Sequence, residues 1–156
     1  MNIKRRTFLK SSAAASAVGI AVSAGLITPR AVFAAWPKAA FEATKVDAAL
    51  QGALGASNAA DSGDIKVKAP DIAENGAVVP ITVTSNISGT ESISVLVPAN
   101  NTPLAASFNM SDSAEGFVST RIKMSKTSDV VVVVKAGGKL YSAKKEVKVT
   151  IGGCGG

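Results

Sequence analysis

The sequence predicts a mainly β protein, an immunoglobulin-like antiparallel β-sandwich with an N-terminal helix and a flexible C-terminal arm. After Asp64, apolar and polar residues alternate with a period of two, which is the pattern of half-buried strands. Turn residues divide this region into about seven short runs within roughly 90 residues, a spacing typical of β-sandwiches. Only the stretch before residue 55 is rich in Ala and lacks the alternation, which indicates a helix.

The predicted helix runs from Pro37 to Leu54. Proline is well suited to the first helical position because its missing N–H has no partner there. Phe41, Ala48 and Leu50 are spaced loosely around such a helix. The composition of the next segment, residues 55–63, predicts a linker.

The predicted strands share alternation or a continuous apolar run bounded by turns. They are Ile65–Val67, Val79–Thr84, Ile93–Val97, Leu104–Met110, Val118–Met124, Val130–Val134 and Glu146–Ile151. Pro80 cannot donate to a ladder, so the second strand is expected at an edge or with a bulge. The continuous run Val130–Val134 predicts a strand that is covered on both faces. Turns are expected at Glu74–Gly76 and Ala136–Lys139.

Composition excludes several classes of function. The chain has 156 residues with 17 Lys+Arg and 11 Asp+Glu, but five of the bases lie in the acid-free first 34 residues. The remainder is nearly neutral, so neither nucleic acid nor a membrane surface is an expected partner. The absence of His excludes Ser-His-Asp triads, Cys-His pairs and His-ligated metals. A single Cys excludes an intrachain disulfide, and no cofactor-binding motif is evident.

Residues 1–34 are predicted to be a signal peptide that is cleaved after Ala34. Arg5 and Arg6, followed by Thr-Phe-Leu-Lys and an apolar run, resemble the twin-arginine export signal. That route moves folded proteins to the periplasm, and we expect a folded partner to be co-exported. Residues 35–151 then form one domain, and residues 152–156 form the arm.

The arm predicts a covalent carrier. Its only reactive group is Cys154, which is flanked by Gly152, Gly153, Gly155 and Gly156. Glycines carry no Cβ, so the arm can enter a narrow channel. Three residues from Ile151 to Cys154 can extend roughly 10 Å. No basic residue adjoins Cys154 to activate the thiol, so the arm is expected to be a substrate and the protein not an enzyme.

Two other functions fit some of these features. An exported immunoglobulin-like structural subunit could use Cys154 for an interchain disulfide and would tolerate the loss of this residue. A thiol oxidoreductase would need an activated or resolving Cys, and the chain has no second one.

The ending from Val147 to Gly156 resembles the C-terminus of the SoxY family, the sulfur carriers of the periplasmic thiosulfate-oxidation (Sox) system. Supporting similarities are Pro70–Gly76, Val79–Ile81, Ser119–Ile122 and the twin-arginine leader. The resemblance implies that Cys154 bears sulfur intermediates covalently, with no other cofactor. It also implies a heterodimer with SoxZ, a second β-sandwich protein. A haem c-containing enzyme would conjugate thiosulfate to Cys154, a hydrolase would release sulfate, and a sulfane dehydrogenase would oxidise the remaining sulfur.

Overall fold

The computed structural model describes residues 37–111 and 113–150. The predicted signal peptide with Arg5 and Arg6, Trp36, Ile151 and the arm with Cys154 and its four glycines lie outside the described residues. The elements are α1 (Lys38–Glu42), α2 (Val46–Leu54), β1 (Ala60–Asp61), β2 (Ile65–Lys68), β3 (Ile72–Ala73), β4 (Val79–Ser85), β5 (Thr90–Leu96), β6 (Leu104–Asn109), β7 (Phe117–Ile122), β8 (Ser128–Ala136) and β9 (Lys139–Val149).

The strands form two sheets, which confirms the predicted β-sandwich. The large sheet has the order β1-β9-β8-β5-β6, with β3 also paired to β9, and the small sheet has the order β2-β4-β7. The apolar half of each alternating strand faces the space between the sheets and is buried there. This core includes Val79, Ile81, Val83, Ile93, Val95, Val118, Ile122, Val130, Val132, Val134 and Val147.

The N-terminal segment forms two helices, so the prediction of one continuous helix was wrong in this respect. Ala43, directly after α1, is extended (φ −63°, ψ 137°) and breaks the helix. The break lets the two helices pack closely, and a Cβ added at Gly52 would lie only 3.1 Å from that of Ala40. No helix among the described residues is long and apolar enough to cross a membrane.

The two helices cover the outer face of the large sheet. Leu50 of α2 is buried with Leu96, Val133 and Leu140 of that sheet, and Phe41 packs against the same cluster. This second cluster explains the continuous apolar run in β8, because alternate valines of β8 face the sandwich core and the helices. The prediction that this strand is covered on both faces is therefore confirmed.

Two short strands that the sequence did not predict run parallel to β9 along its outer edge. β1, inside the predicted linker, pairs with Tyr141 and Ser142, and β3 pairs with Lys148 and Val149. The sandwich is therefore not wholly antiparallel. A strand of two residues has no measurable periodicity, and these two exist because β9 offers an edge for pairing.

Strand β4 lies in the centre of the small sheet and pairs with β7 from Val79 to Thr84 without a register shift, so the expectation that Pro80 marks an edge strand or a bulge was wrong. β2 pairs with β4 only from Thr82 to Ser85, whereas β7 continues alongside as far as Val79. Pro80 therefore has a sheet neighbour on one side only, which is why a residue without an N–H is tolerated there.

Candidate functional site

The candidate site begins where β9 leaves the sandwich. Strand β9 ends at Val149, and Thr150 is the last described residue, four positions before Cys154. We call Lys148, Val149 and Thr150 the arm root. Three other parts of the chain lie at this end of the sandwich: the segment from β3 to β4, the β5–β6 loop and the β7–β8 loop.

Strand β3 and its flanking residues hold one edge of the arm root. The amide of Lys148 donates to the carbonyl oxygen of Asp71 at 3.0 Å, and the amide of Thr150 donates to that of Ala73 at 3.1 Å. These bonds continue the parallel ladder one residue beyond β9. The backbone is thus fixed up to Thr150 on this side.

Thr127 holds the other edge. The last backbone pair between β8 and β9 joins Ser128 and Val147, so no strand faces Val149 on this side. The amide of Val149 instead donates to Oγ1 of Thr127 at 2.9 Å, and the same hydroxyl lies 3.5 Å from the carbonyl oxygen of Val149. A side chain therefore extends the ladder where the strand has ended.

Gly76 lies against the arm root. Its carbonyl oxygen accepts a hydrogen bond of 2.7 Å from the amide of Met124, which joins the β3–β4 turn to the β7–β8 loop. A Cβ at this position would lie 2.9 Å from Cγ1 of Val149, and closer still to the carbonyl oxygen of Met124. Only glycine allows the backbone at residue 76 to approach both the backbone of Met124 and the side chain of Val149 this closely.

Two asparagines fix the surrounding loops. Asn100 of the β5–β6 loop donates to the carbonyl oxygen of Lys123 at 2.8 Å and accepts from the amide of Ser125 at 2.9 Å. Oδ1 of Asn75 accepts from the amide of Ala77 at 2.9 Å, as in an Asx turn. The turn predicted at Glu74–Gly76 is confirmed, and the arm root stands among loops that are bonded to one another.

An ion pair ties the start of β3 to β9. The ammonium of Lys145 donates to Oδ1 of Asp71, and the two side chains are 36% and 85% exposed, respectively. This hydrogen bond, then the charge of Lys145 and that of Lys148, lower the pKa of Asp71 below its ordinary value of 3.8. Lys144 and Lys148 are exposed and make no ion pair among the described residues, as expected for a solvated strand face.

The Asp71–Lys145 pair predicts a small loss of stability in acid. The pKa of Asp71 is lower in the folded state than in the unfolded state. The ionised carboxylate therefore adds to the free energy of unfolding at pH values above its unfolded-state pKa, and this stabilisation is lost as the pH falls through its folded-state pKa. We expect the urea midpoint of wild type to exceed that of Asp71→Asn at pH 6, and the two midpoints to converge below about pH 4. In a Lys145→Gln background the difference at pH 6 should shrink. A difference that grows in acid would contradict the assignment.

The geometry of the root limits the reach of the predicted arm. Cys154 lies four positions after Thr150, so their Cα atoms are at most about 14 Å apart. Cys154 and the four glycines lie outside the described residues, and the structure describes only the root from which they extend. Within residues 37–111 and 113–150 no group of three or more His, Cys, Asp or Glu residues could hold a metal ion.

A surface pocket of about 290 Å³ lies at the opposite end of the sandwich. It is lined by residues that include Ile87, Thr90, Glu91 and Met110. These belong to the β4–β5 turn and the end of β6, whereas the arm root lies beside the beginning of β4. The pocket is thus remote from the arm root.

Sequence reasoning missed three parts of the root. The Asn-Gly pair at residues 75 and 76 predicts a turn. It does not predict the contact of Gly76 with Val149, which forms only in the tertiary structure. Residues 71–73 resemble a known family in sequence, but nothing in them predicts that they pair with β9. Thr127 gave no signal, because one exposed hydroxyl in a polar loop has no distinctive pattern.

Comparison with known proteins gives a consistent result. The family model described as "Sulfur oxidation protein SoxY" matches residues 50–154, which include Cys154. The solved structure of the sulfur carrier protein SoxY from Chlorobium limicola f thiosulfatophilum is 50% identical, with a TM-score of 0.63. That match covers 69% of this chain and 97% of the other.

Two further comparisons add no argument. An engineered protein solved at 1.98 Å is 12% identical with a TM-score of 0.40, and the match covers 56% of this chain and 20% of that one. Curated proteins yield no significant match.

Proposed function

Because this chain belongs to the SoxY family of sulfur oxidation proteins, we propose that it is a periplasmic sulfur carrier that holds thiosulfate-derived intermediates covalently on Cys154. One observation carries the proposal: the family match extends to residue 154, which is the only Cys of the chain. A relative of 50% identity is described as a sulfur carrier protein. Partner enzymes carry out the chemistry, and this protein presents the substrate.

The arm root supports this division of labour. Hydrogen bonds on both edges fix the backbone through Thr150, so that a rigid body presents a short terminal segment. The chain contains no His, so a general base near neutral pH must come from the enzyme that receives the arm. Gly152, Gly153, Gly155 and Gly156 minimise the width of the segment around the thiol.

Elementary sulfur chemistry defines the proposed steps. Joining the Cys154 thiolate to the terminal sulfur of thiosulfate forms an S–S bond and releases two electrons, which a haem-containing conjugating enzyme accepts. Hydrolysis of the terminal sulfonate consumes one water, releases sulfate and leaves a persulfide on Cys154 without net oxidation. A sulfane dehydrogenase then oxidises the outer sulfur of the persulfide to a sulfonate, with three oxygen atoms taken from water and six electrons accepted by that enzyme. A second hydrolysis releases sulfate and regenerates the Cys154 thiol.

The twin-arginine signal and the family support the proposed location and assembly. Arg5 and Arg6 direct export of a folded protein to the periplasm, where the mature domain begins near residue 35. SoxZ is the proposed partner, bound as a heterodimer before export. Contacts with the conjugating enzyme, the sulfate-releasing hydrolase and the sulfane dehydrogenase are transient, and none involves nucleic acid or a membrane.

Intact-protein mass spectrometry tests the covalent carrier. Protein isolated from cells oxidising thiosulfate should show mass additions that correspond to sulfur atoms or sulfonate groups. These additions should disappear after reduction, map to the C-terminal peptide, and be absent from Cys154→Ser. An unmodified or exclusively disulfide-dimerised wild-type protein under the same conditions would contradict the proposal.

A further inference from the structure

The outer face of the small sheet is open along its length. The register places Lys66, Thr84 and Phe117 in one row across the three strands, and Lys68, Thr82 and Ser119 in the next. These side chains alternate with the buried residues of β4, so they point away from the core. No described element covers this face, whereas α1 and α2 cover the outer face of the large sheet.

A large aromatic side chain is exposed on this face. Phe117, at the start of β7, is 53% exposed and faces Thr84 across the ladder. Beside it, Thr82 and Ser119 are joined hydroxyl to hydroxyl at 3.4 Å. Hydroxyl groups therefore form the middle of the face, and one aromatic ring lies at its far end.

The charge of this face has one sign. The three strands carry Lys66, Lys68 and Arg121 and no carboxylate, and Lys123 follows directly after β7. None of these four cations makes an ion pair among the described residues. The large sheet differs, since it carries both signs and pairs Lys135 with Glu91 and Lys145 with Asp71.

The positive charge is concentrated towards the arm root. Asp64 and Glu115 precede β2 and β7, so these two carboxylates flank the far end of the face. Lys68 lies in the middle row, and Arg121 and Lys123 lie at the root end of the face, where the three strands carry no carboxylate. Glu74, in the segment between β3 and β4, makes no ion pair among the described residues. Lys123 precedes Met124, whose amide is bonded to Gly76 beside Val149. The face thus adjoins the arm root.

We propose that the outer face of the small sheet is the transient docking surface for an enzyme that works on the arm, and that it binds an acidic surface of that enzyme. The proposal rests on the carrier function proposed above. Lysines, arginine and hydroxyls suit a weak, dissociable complex, because permanent subunit interfaces are more hydrophobic. Complementary charge speeds encounter and sets orientation, and Phe117 supplies one apolar anchor. An enzyme docked here lies within reach of Cys154, whose Cα atom is at most about 14 Å from that of Thr150.

The test compares two variants of the carrier, each with three basic residues replaced by Glu. Each variant is used as it is purified, together with any subunit that remains bound to it. The docking variant is Lys66→Glu, Lys68→Glu and Arg121→Glu. The matched control is Lys45→Glu, Lys139→Glu and Lys144→Glu, at exposed positions outside the small sheet that make no described ion pair. The readouts are kcat and kcat/KM of the sulfate-releasing hydrolase and of the conjugating enzyme, each at low and high salt. Alkylation of Cys154 by a small maleimide and the urea midpoint check the arm and the fold.

We expect the docking variant to lower kcat/KM by about tenfold or more at low salt for at least one enzyme, with kcat little changed. The loss should shrink as salt rises, and a milder variant with Gln at the same three positions should give a smaller loss of the same kind. The control should change kcat/KM by less than threefold. Equal losses in both variants, or none in either, would overturn the proposal.

Other outcomes also decide the question. If the docking variant loses an accompanying subunit on purification, the face is a permanent interface and the transient proposal is wrong. If self-association of wild type disappears in the variant while enzyme kinetics stay unchanged, the face joins two copies and the proposal is again wrong. If Cys154→Ser is turned over as well as wild type, the carrier function itself fails. If Cys154→Ser is inactive and the docking variant behaves as wild type, only the docking surface fails.

Discussion

Cys154→Ser is expected to reduce thiosulfate-dependent turnover to the background of a reaction that lacks the protein. Every proposed intermediate is bound through an S–S bond to Cys154, and a serine hydroxyl cannot form one. Thiolate attack on sulfur is the chemistry by which such adducts are loaded and exchanged. The measurement is sulfate release and electron transfer in a reconstituted mixture of the partner enzymes.

Two controls accompany this substitution. Wild-type protein alkylated at Cys154 should be as inactive as Cys154→Ser, because both lack a free thiol on the same chain. The urea midpoint of Cys154→Ser should match that of reduced wild type, since residue 154 lies four positions after Thr150, the last residue with a described hydrogen bond to the sheet. Undiminished turnover by the variant would favour the exported structural subunit, whose cysteine serves at most for an interchain disulfide.

Gly76→Ala is expected to destabilise the domain by about 1–3 kcal/mol. The added Cβ would lie 2.9 Å from Cγ1 of Val149 and closer to a backbone oxygen, that of Met124. Relief requires movement of the β7–β8 loop or the end of β9, and a movement of this loop strains the 2.7 Å bond between Met124 and Gly76. Urea denaturation of protein with a blocked Cys154 measures this loss of stability. We also expect turnover to fall, because the arm root would shift.

Gly63→Ala is the matched control for this prediction. A Cβ at Gly63 has nothing within 4 Å, and its backbone is not in the left-handed region. The same change of residue should therefore leave stability within about 0.5 kcal/mol, or raise it slightly by restricting the unfolded chain. Equal urea midpoints for Gly63→Ala and Gly76→Ala would show that the close approach at Gly76 is not essential.

The architecture was largely predictable from the sequence because alternation reports burial directly. Val79, Ile81 and Val83 alternate with polar residues, and each is buried in the sandwich core. The continuous valines of β8 were equally informative, since they face a core on each side. Pairing partners were not predictable, and Pro80 shows why. Its strand is central, but β2 ends at Lys68, opposite Thr82, so Pro80 has no neighbour on that side. The length of the neighbouring strand decides this, and the sequence around Pro80 does not reveal it.

The candidate site also has one part that the sequence predicts and one part that it does not. Cys154 stands out from sequence alone because it is the only thiol and glycines flank it. Its support depends on residues far away along the chain, including Ala73, Gly76 and Thr127, which contact the arm root only after the sheets have formed. The helix break at Ala43 is also a tertiary effect, since it serves the close packing of Ala40 on Gly52.

The clamp on both edges of the arm root has a mechanical consequence. An enzyme that draws the terminal residues into a deep channel exerts a pull along β9, which is bonded to β8 over nine residue pairs and to β3 at its end. Such a pull loads many hydrogen bonds in shear at once instead of peeling them apart singly. The β8–β9 hydrogen bonds would share such a force, so the buried valines of the core are expected to keep their positions under load.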